Sequence, residues 1–280
     1  MAPAKAPALT DRQCVAFLQW ALPRLGLRWP GYRRVRRQVC KRLKGRLAAL
    51  GLADADAYRA LLAAHPEEWR ELAYLCRVTI SRFYRDRGVF SDLQRRVLPA
   101  LAERATAAGR DTLWAWSIGC ASGEEAYSLL LAWRLGGAPA NGPSLQVLGT
   151  DIDAALIRRA RRACYPESSL RDLPAAWRRE AFHDGPGGPC LLPRFRAGAQ
   201  FRRQDIGRAM PDGPFDLVLC RNLVVTYFQP PRQRQVLMGV RDRLRPGGAL
   251  VLGAHEAPPP GIAGLTPWPE ADAVWRKISR

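Results

Sequence analysis

No C-x-x-C pair occurs among the cysteines, which stand singly at Cys14, Cys40, Cys76, Cys120, Cys164, Cys190 and Cys220 and are odd in number. That pattern argues against a zinc site and against a disulfide framework, so a reduced, cytoplasmic protein is the expectation. The three histidines, His65, His183 and His255, show no ligand spacing either, and no metal is expected. No apolar run approaches the ~20 residues that span a bilayer, which predicts no membrane insertion. The opening MAPAKAPALT has no apolar core of signal-peptide length. Acid is scarce as well, with 25 Asp and Glu against 44 Lys and Arg.

What the chain does have is apolar material: 48% hydrophobic residues and nine tryptophans in 280 residues, ample for a packed core. That length suits one large domain, or a medium one beside a small one. The net charge of +19 is unevenly spread. Residues 1–90 hold 18 basic and 7 acidic residues, a net +11. A surface of that kind attracts a polyanion or an acidic protein face.

Residues 11–76 read as helical. In YRRVRRQVCKRLKGRLAALG, Val35, Val39, Leu43 and Leu47 recur every four residues and mark a packing face. Around them eight cations and no acid lie between Gly31 and Ala48. From about residue 112 the rhythm becomes strand–helix alternation. LWAWSIG, LQVLGTDID, FDLVLCRNLVVTYF and ALVLGAHE read as strands, and DAVWRKIS as a last edge strand. This pattern predicts a doubly wound α/β sheet with ligands at the C-terminal ends of its strands. The Pro/Gly-rich stretch 166–204 reads as an insertion, with a small hairpin expected in CLLPRFRAGAQFRRQDI.

The chemistry concentrates in WSIGCASGEEAYS. A strand ending at Gly119, followed by a glycine-bearing turn and a helix, lets backbone approach a ligand closely. It is neither G-x-G-x-x-G nor a phosphate-binding loop, and Glu124 and Glu125 would serve a pyrophosphate poorly. Two acids suit a cation carrying hydroxyl or amino donors. GTDID puts Asp151 at the end of the second strand, where a ribose is gripped. RRQDI can set Asp205 beside an adenine amino group and Ile206 against the ring. A ribose, an adenine, a cationic centre and no phosphate together describe S-adenosylmethionine.

VTISRFYRD, WSIGCASGEEAYS, VLGTDID, FDLVLCRN and LRPGGALVLGAHE occur in the order and spacing of the CheR-type chemotaxis receptor methyltransferases, which the chain resembles over roughly residues 30–280. The resemblance implies a Rossmann-like class I methyltransferase sheet with helices on both faces, preceded by a small all-α domain and carrying a small β-hairpin insertion. Its boundaries would be a basic helical domain and linker over 1–88 and the methyltransferase domain over 89–280. It also implies S-adenosylmethionine as cofactor, S-adenosylhomocysteine as product, and glutamate side chains of an acidic receptor helix as acceptors.

By matching positions, Thr79, Ser81 and Arg85 would contact the cofactor, with Arg85 suited to its carboxylate. Gly119 would contact the cofactor, Glu125 would meet its amino-acid end, Asp151 its ribose, and Asp205 and Ile206 its adenine. Arg221 and Asn222 would complete the floor. Tyr227 would stand near the methyl group, so Arg85 and Tyr227 are the catalytic candidates. Arg33, Arg36, Arg37, Lys41 and Lys44 would dock the acidic helix. The protein is expected to act as a monomer and not on nucleic acid, since only Tyr32 offers an aromatic ring beside these cations. Three departures stand out: Thr79 replaces a frequent asparagine, CRNLVVTYF carries one extra residue before Tyr227, and the insertion is compact. Two alternatives stay open, a methyltransferase of the same fold with another acceptor (another protein, a small-molecule carboxylate or RNA) and a cofactor-binding module without turnover.

Overall fold

A computed structural model of the chain describes residues 9–137, 139 and 141–278. Most of the stretch read as lacking a leader core, residues 1–8, lies outside the described residues. The chain divides into two compact units. One runs up to Thr79 and includes Thr226–Arg232; the other comprises Ile80–Val225 and Gln233–Arg280.

The first unit is helical: α1 (Asp11–Arg24), α2 (Trp29–Tyr32), α3 (Arg36–Ala49), α4 (Ala55–Ala64) and α5 (Glu68–Leu75). Helix α1 starts on a capping box in which Thr10 and Gln13 satisfy each other's backbone amides. Asp54 caps α4 by accepting from the amides of Asp56 and Ala57. The four-residue stripe packs as expected, with Val39, Leu43 and Leu47 buried against Phe17, Leu18, Tyr58 and Leu72. Each such side chain contributes roughly 1.5–3 kcal/mol on leaving water. Residues 226–232 complete this core. The Arg28 amide donates to the Tyr227 carbonyl (2.8 Å) and the Gln229 amide to that of Gly26 (3.0 Å). Gly31 permits this approach, because a Cβ there would lie 2.2 Å from the Thr226 carbonyl oxygen.

The second unit holds the remaining elements. Its first helices are α6 (Arg87–Asp92) and α7 (Leu98–Ala107), joined by a π-helical turn. Then follow β1 (Thr112–Ile118), α8 (Glu124–Leu135), β2 (Ser144–Asp151) and α9 (Ala154–Arg162). The insertion carries α10 (Ala175–Ala181), β3 (Phe182–Gly185), β4 (Gly188–Leu191) and α11 (Pro193–Arg196). The sheet resumes with β5 (Ala199–Arg203) and β6 (Phe215–Leu219), followed by α12 (Val224–Tyr227) and α13 (Pro230–Arg243), each of which shares residues with the helical unit. It ends with β7 (Leu244–Val251), β8 (Leu265–Pro267) and β9 (Val274–Lys277). The seven-stranded order is β5-β2-β1-β6-β7-β9-β8, with β9 antiparallel to both neighbours and the other pairs parallel. This is the Rossmann-like class I methyltransferase arrangement, with a helical N-terminal region and a hairpin insertion.

Three expectations need correction. The hairpin is Phe182–Leu191, turned at Gly185–Gly188, not a pairing within 190–206. Residues 199–203 instead join the main sheet beside β2, because Phe201 finds space over glycines: a Cβ on Gly149 would sit 2.6 Å from its ring. Strand β9 is not the edge, since the short β8 pairs outside it. Four of the cysteines read as unpaired are joined, Cys14 to Cys40 (S–S 1.99 Å) and Cys164 to Cys190 (2.02 Å). Each bond links elements 26 residues apart that only the folded topology brings together, which no local spacing could reveal. Cys76, Cys120 and Cys220 remain free and buried. Among the described residues, no helix is long and apolar enough to cross a membrane and no cluster is suited to a metal ion.

Candidate functional site

In the second unit the sheet reverses its winding between β1 and β6, and the loops that follow these strands flank the crevice where open α/β sheets bind ligands. The turn 119–123 is held open by left-handed backbone at Gly119 (φ +67°), Ala121 (φ +49°) and Gly123 (φ +90°). A side chain on Gly119 would also strike Leu223, whose Cδ2 lies 2.7 Å from the ideal Cβ. Asp151 closes β2 and steadies that turn. Its Oδ2 accepts from the Ala121 amide (3.0 Å) and its Oδ1 from the Asp153 amide (2.9 Å). Asp153 itself caps α9, as its position at the head of that helix suggests.

The two adjacent glutamates have different surroundings. Glu124 is buried; its Oε1 accepts from Ser122 Oγ (3.0 Å), and its Oε2 makes no hydrogen bond of ordinary length. Burial raises its pKa, against the opposing pull of its own backbone amide, Ser122, Ser81 and Arg159. Glu125 Oε1 accepts from Ser117 Oγ (2.7 Å) and Oε2 from Arg221 Nη1 (3.2 Å). Its pKa is also raised by burial, with Arg221, Ser117 and Arg85 acting the other way.

Arg221 is the hub of this crevice. Its side chain is only 2% exposed, and Nη2 donates to the Arg85 carbonyl (2.7 Å) and to Asp86 Oδ2 (2.8 Å). Its guanidinium also lies over the Phe90 ring at 5.1 Å. Asn222 Nδ2 reaches the same Asp86 oxygen at 3.4 Å, and Glu256 Oε2 accepts from the amides of Asn222 (2.8 Å) and Gly253 (2.7 Å). Asp86 (φ +61°) and Asn222 (φ +51°) both hold left-handed backbone, a strain that this bonding sustains. Arg85 Nη1 donates to the Ile80 carbonyl (2.8 Å).

The structure thus brings together Ser81, Arg85, Gly119, Glu125, Asp151, Arg221 and Asn222 of the sequence-derived set. Asp205 and Ile206 follow directly, because the Gln204 amide bonds the Asp151 carbonyl (2.9 Å) and Asp205 then turns the chain by accepting from the Gly207 amide (2.9 Å). Thr79 and Tyr227 group instead with the helical unit, where the Tyr227 ring meets Tyr32 edge-on at 5.1 Å. Three participants were missed by sequence reasoning. Ser117, Asp86 and Glu256 all stood within quoted motifs, but none was assigned a role.

The lining suits S-adenosylmethionine. Gln204, whose backbone amide bonds the Asp151 carbonyl, has a buried Oε1 with no donor among the described residues, and Glu124 Oε2 is similarly short of one. A site lined by acceptors, with carboxylates at two strand ends, calls for a cationic ligand rich in N–H and O–H donors. A pyrophosphate fits it poorly.

In the helical unit the docking candidates divide. Arg33, Arg37, Lys41 and Lys44 are exposed. Arg36 is tied to Asp11 (3.2 Å), and of its basic neighbours Arg42 donates to the Leu75 and Arg77 carbonyls and Arg46 to Glu68. The cationic face is therefore narrower than the charge run suggested.

The profile of the CheR methyltransferase, SAM binding domain, matches residues 79–262. A chemotaxis protein methyltransferase of Listeria innocua is 32% identical over 186 residues, which cover 66% of this chain and 68% of that protein. An uncharacterised 104.1 kDa protein of Rhodobacter capsulatus is 31% identical over 220 residues, 78% of this chain but only 23% of that protein. A probable biofilm formation methyltransferase, WspC, of Pseudomonas aeruginosa is 31% identical, covering 77% of this chain and 50% of that one. The chain thus spans between about a quarter and two thirds of these relatives.

Proposed function

The chain belongs to the CheR methyltransferase family and is an S-adenosylmethionine-dependent methyltransferase, and from that premise we propose that it esterifies glutamate side chains on an acidic helix of a chemoreceptor-like signalling protein. The observation that carries the acceptor is the stripe Arg37, Lys41 and Lys44. These residues stand at i, i+4 and i+7 on one exposed face of α3, a helix that contains no acid. Such a face complements an acidic helix and offers no aromatic rings for stacked bases.

When bound, S-adenosylmethionine supplies an electrophilic methyl group on a sulfonium. The remaining tasks fall to the chain. Asp151 has both oxygens oriented by backbone amides and would hold the ribose hydroxyls. Asp205 and Ile206 would hold the adenine, with Gln204 as a further acceptor. Glu125, fixed by Ser117 and Arg221, would take the amino group, and Arg85 the carboxylate, beside Ser81, Thr79, Gly119 and Asn222. A glutamate acceptor of pKa near ~4.3 is ionised at neutral pH, so no general base is required. Orientation of the two partners is then the main contribution the protein makes, with Tyr227 proposed as its catalytic side chain.

Incubation with tritiated-methyl S-adenosylmethionine and a lysate of the source cell tests this reading. Label on protein that mild base releases as volatile methanol supports a carboxyl ester. Base-stable label, or label on RNA, rules it out. The double variant Arg37→Glu, Lys41→Glu should lose protein labelling while keeping its affinity for S-adenosylhomocysteine.

A further inference from the structure

The opposite end of the same strands, where β1, β6 and β7 begin, contains a concavity of about 430 Å³ that the methyl-transfer reading does not use. Its lining includes Arg104 near the end of α7, Arg110 before β1, Asp216 at the start of β6, and Arg245 with Gly247 at the start of β7. Three arginines and one carboxylate thus line it. That carboxylate is already engaged: Asp216 Oδ1 accepts from Arg110 Nη1 (2.8 Å), and its Oδ2 accepts from the Trp114 amide (2.9 Å).

Arg245 Nε lies 3.5 Å from the same Oδ1, yet it is buried and makes no hydrogen bond. Arg104 has only a 3.3 Å contact to the Pro246 carbonyl. Gly247 is specialised for this arrangement. It holds left-handed backbone (φ +74°), and a Cβ there would fall 2.1 Å from Arg104 Nη2. The cavity therefore concentrates a surplus of positive charge and a buried donor, Arg245 Nε, that lacks a hydrogen-bond acceptor, beside the apolar wall of Leu101 and Ala108.

We propose that this cavity is an anion site for a phosphate-bearing small molecule, with the phosphate on Arg104, Arg110 and Arg245 and any organic body against Leu101. Forked guanidinium groups match phosphate oxygens two at a time, which is why clustered arginines favour this anion. The volume lies in the range of small-molecule sites. The proposal goes beyond the methyltransferase reading and does not depend on the acceptor.

Isothermal titration of the full chain with inorganic phosphate and with adenosine 5′-monophosphate tests it, in saturating S-adenosylhomocysteine so that the cofactor site is filled. Saturable binding is expected, weakened at least about tenfold in Arg104→Ala and less in Arg104→Lys. Because Arg104 is exposed, the thermal midpoint of these variants should match that of the unaltered chain. Gly247→Ala displaces the guanidinium and should weaken binding in the same direction. Tighter binding of the monoester identifies an organic phosphate, and equal binding identifies inorganic phosphate. The proposal is overturned if neither probe binds, if Arg104→Ala binds as the unaltered chain does, or if Lys41→Ala rather than Arg104→Ala abolishes binding.

Discussion

Each unit of the molecule contains a glutamate held by an arginine and a hydroxyl, and the two groups behave in opposite ways. In the helical unit Glu68 receives a two-pronged arginine, Arg46 Nε at 2.9 Å and Nη2 at 2.6 Å, together with the Tyr58 hydroxyl at 2.6 Å. Arg46 lowers its pKa, and Glu68 in turn raises that of Arg46. In the sheet unit Glu125 receives one longer contact from Arg221, whose other nitrogen serves Asp86 and the Arg85 carbonyl. There burial prevails and the pKa rises. Glu68 has its charge matched within the fold and serves as structure. Glu125 shares its arginine with a second carboxylate, and a cationic ligand would supply what the fold withholds.

The largest effect should come from the ligand side. On the ribose role proposed for Asp151, Asp151→Ala should lower cofactor affinity about 100-fold, because two hydroxyls would lose a charged acceptor; calorimetric titration checks this. On the structural side, Arg46→Met leaves Glu68 buried with only Tyr58, and should destabilise the helical unit by about 2 kcal/mol in urea unfolding. Cofactor affinity should be unchanged. Tyr227→Phe should lower turnover about tenfold with no change in cofactor affinity, and equal turnover would reduce this tyrosine to its packing against Tyr32.

The comparison also predicts opposite pH responses. Glu68, with its pKa lowered, contributes stability that is complete above the ordinary carboxylate range and is lost as pH falls through its folded value. Glu125, with its pKa raised, makes the native state bind its proton more tightly than the unfolded chain. Its contribution is therefore greatest in acid and declines as pH rises from about 4.3 to the higher folded value. Glu68→Gln should flatten the acid limb of a stability profile, and Glu125→Gln the decline just above it. The smallest effect belongs to Arg36→Ala, whose half-exposed bond to Asp11 should be worth no more than about 0.5 kcal/mol in the same urea measurement.

The alternation of elements was legible because β1, β2 and β6 are short apolar runs ended by glycine, acid or arginine, and strands buried on both faces leave that trace. The positions of Asp151, at the end of an apolar strand, and of Glu125, in the first turn of the helix that follows another, were legible for a related reason: each stands at or just beyond a strand's C-terminal end. Asp86 and Glu256 were not. Their roles depend on Arg221 and Asn222, more than 30 residues away in the chain, and on left-handed backbone that non-glycine residues do not announce. The same holds for the two disulfides and for β5, whose place beside β2 depends on Phe201 covering Gly149. On α3 the charge run overstated the free surface, because the partners Asp11 and Glu68 of Arg36 and Arg46 lie in other helices.

The contrast between the two glutamates is tested most directly by titrating S-adenosylhomocysteine into Glu125→Gln and Glu68→Gln side by side, with urea unfolding of each. Glu125→Gln should bind about tenfold more weakly while its stability at neutral pH holds or rises, and Glu68→Gln should bind normally but unfold more readily. Equal affinity in the two variants, or a loss of stability confined to Glu125→Gln, would contradict the assignment of one carboxylate to the ligand and the other to the fold.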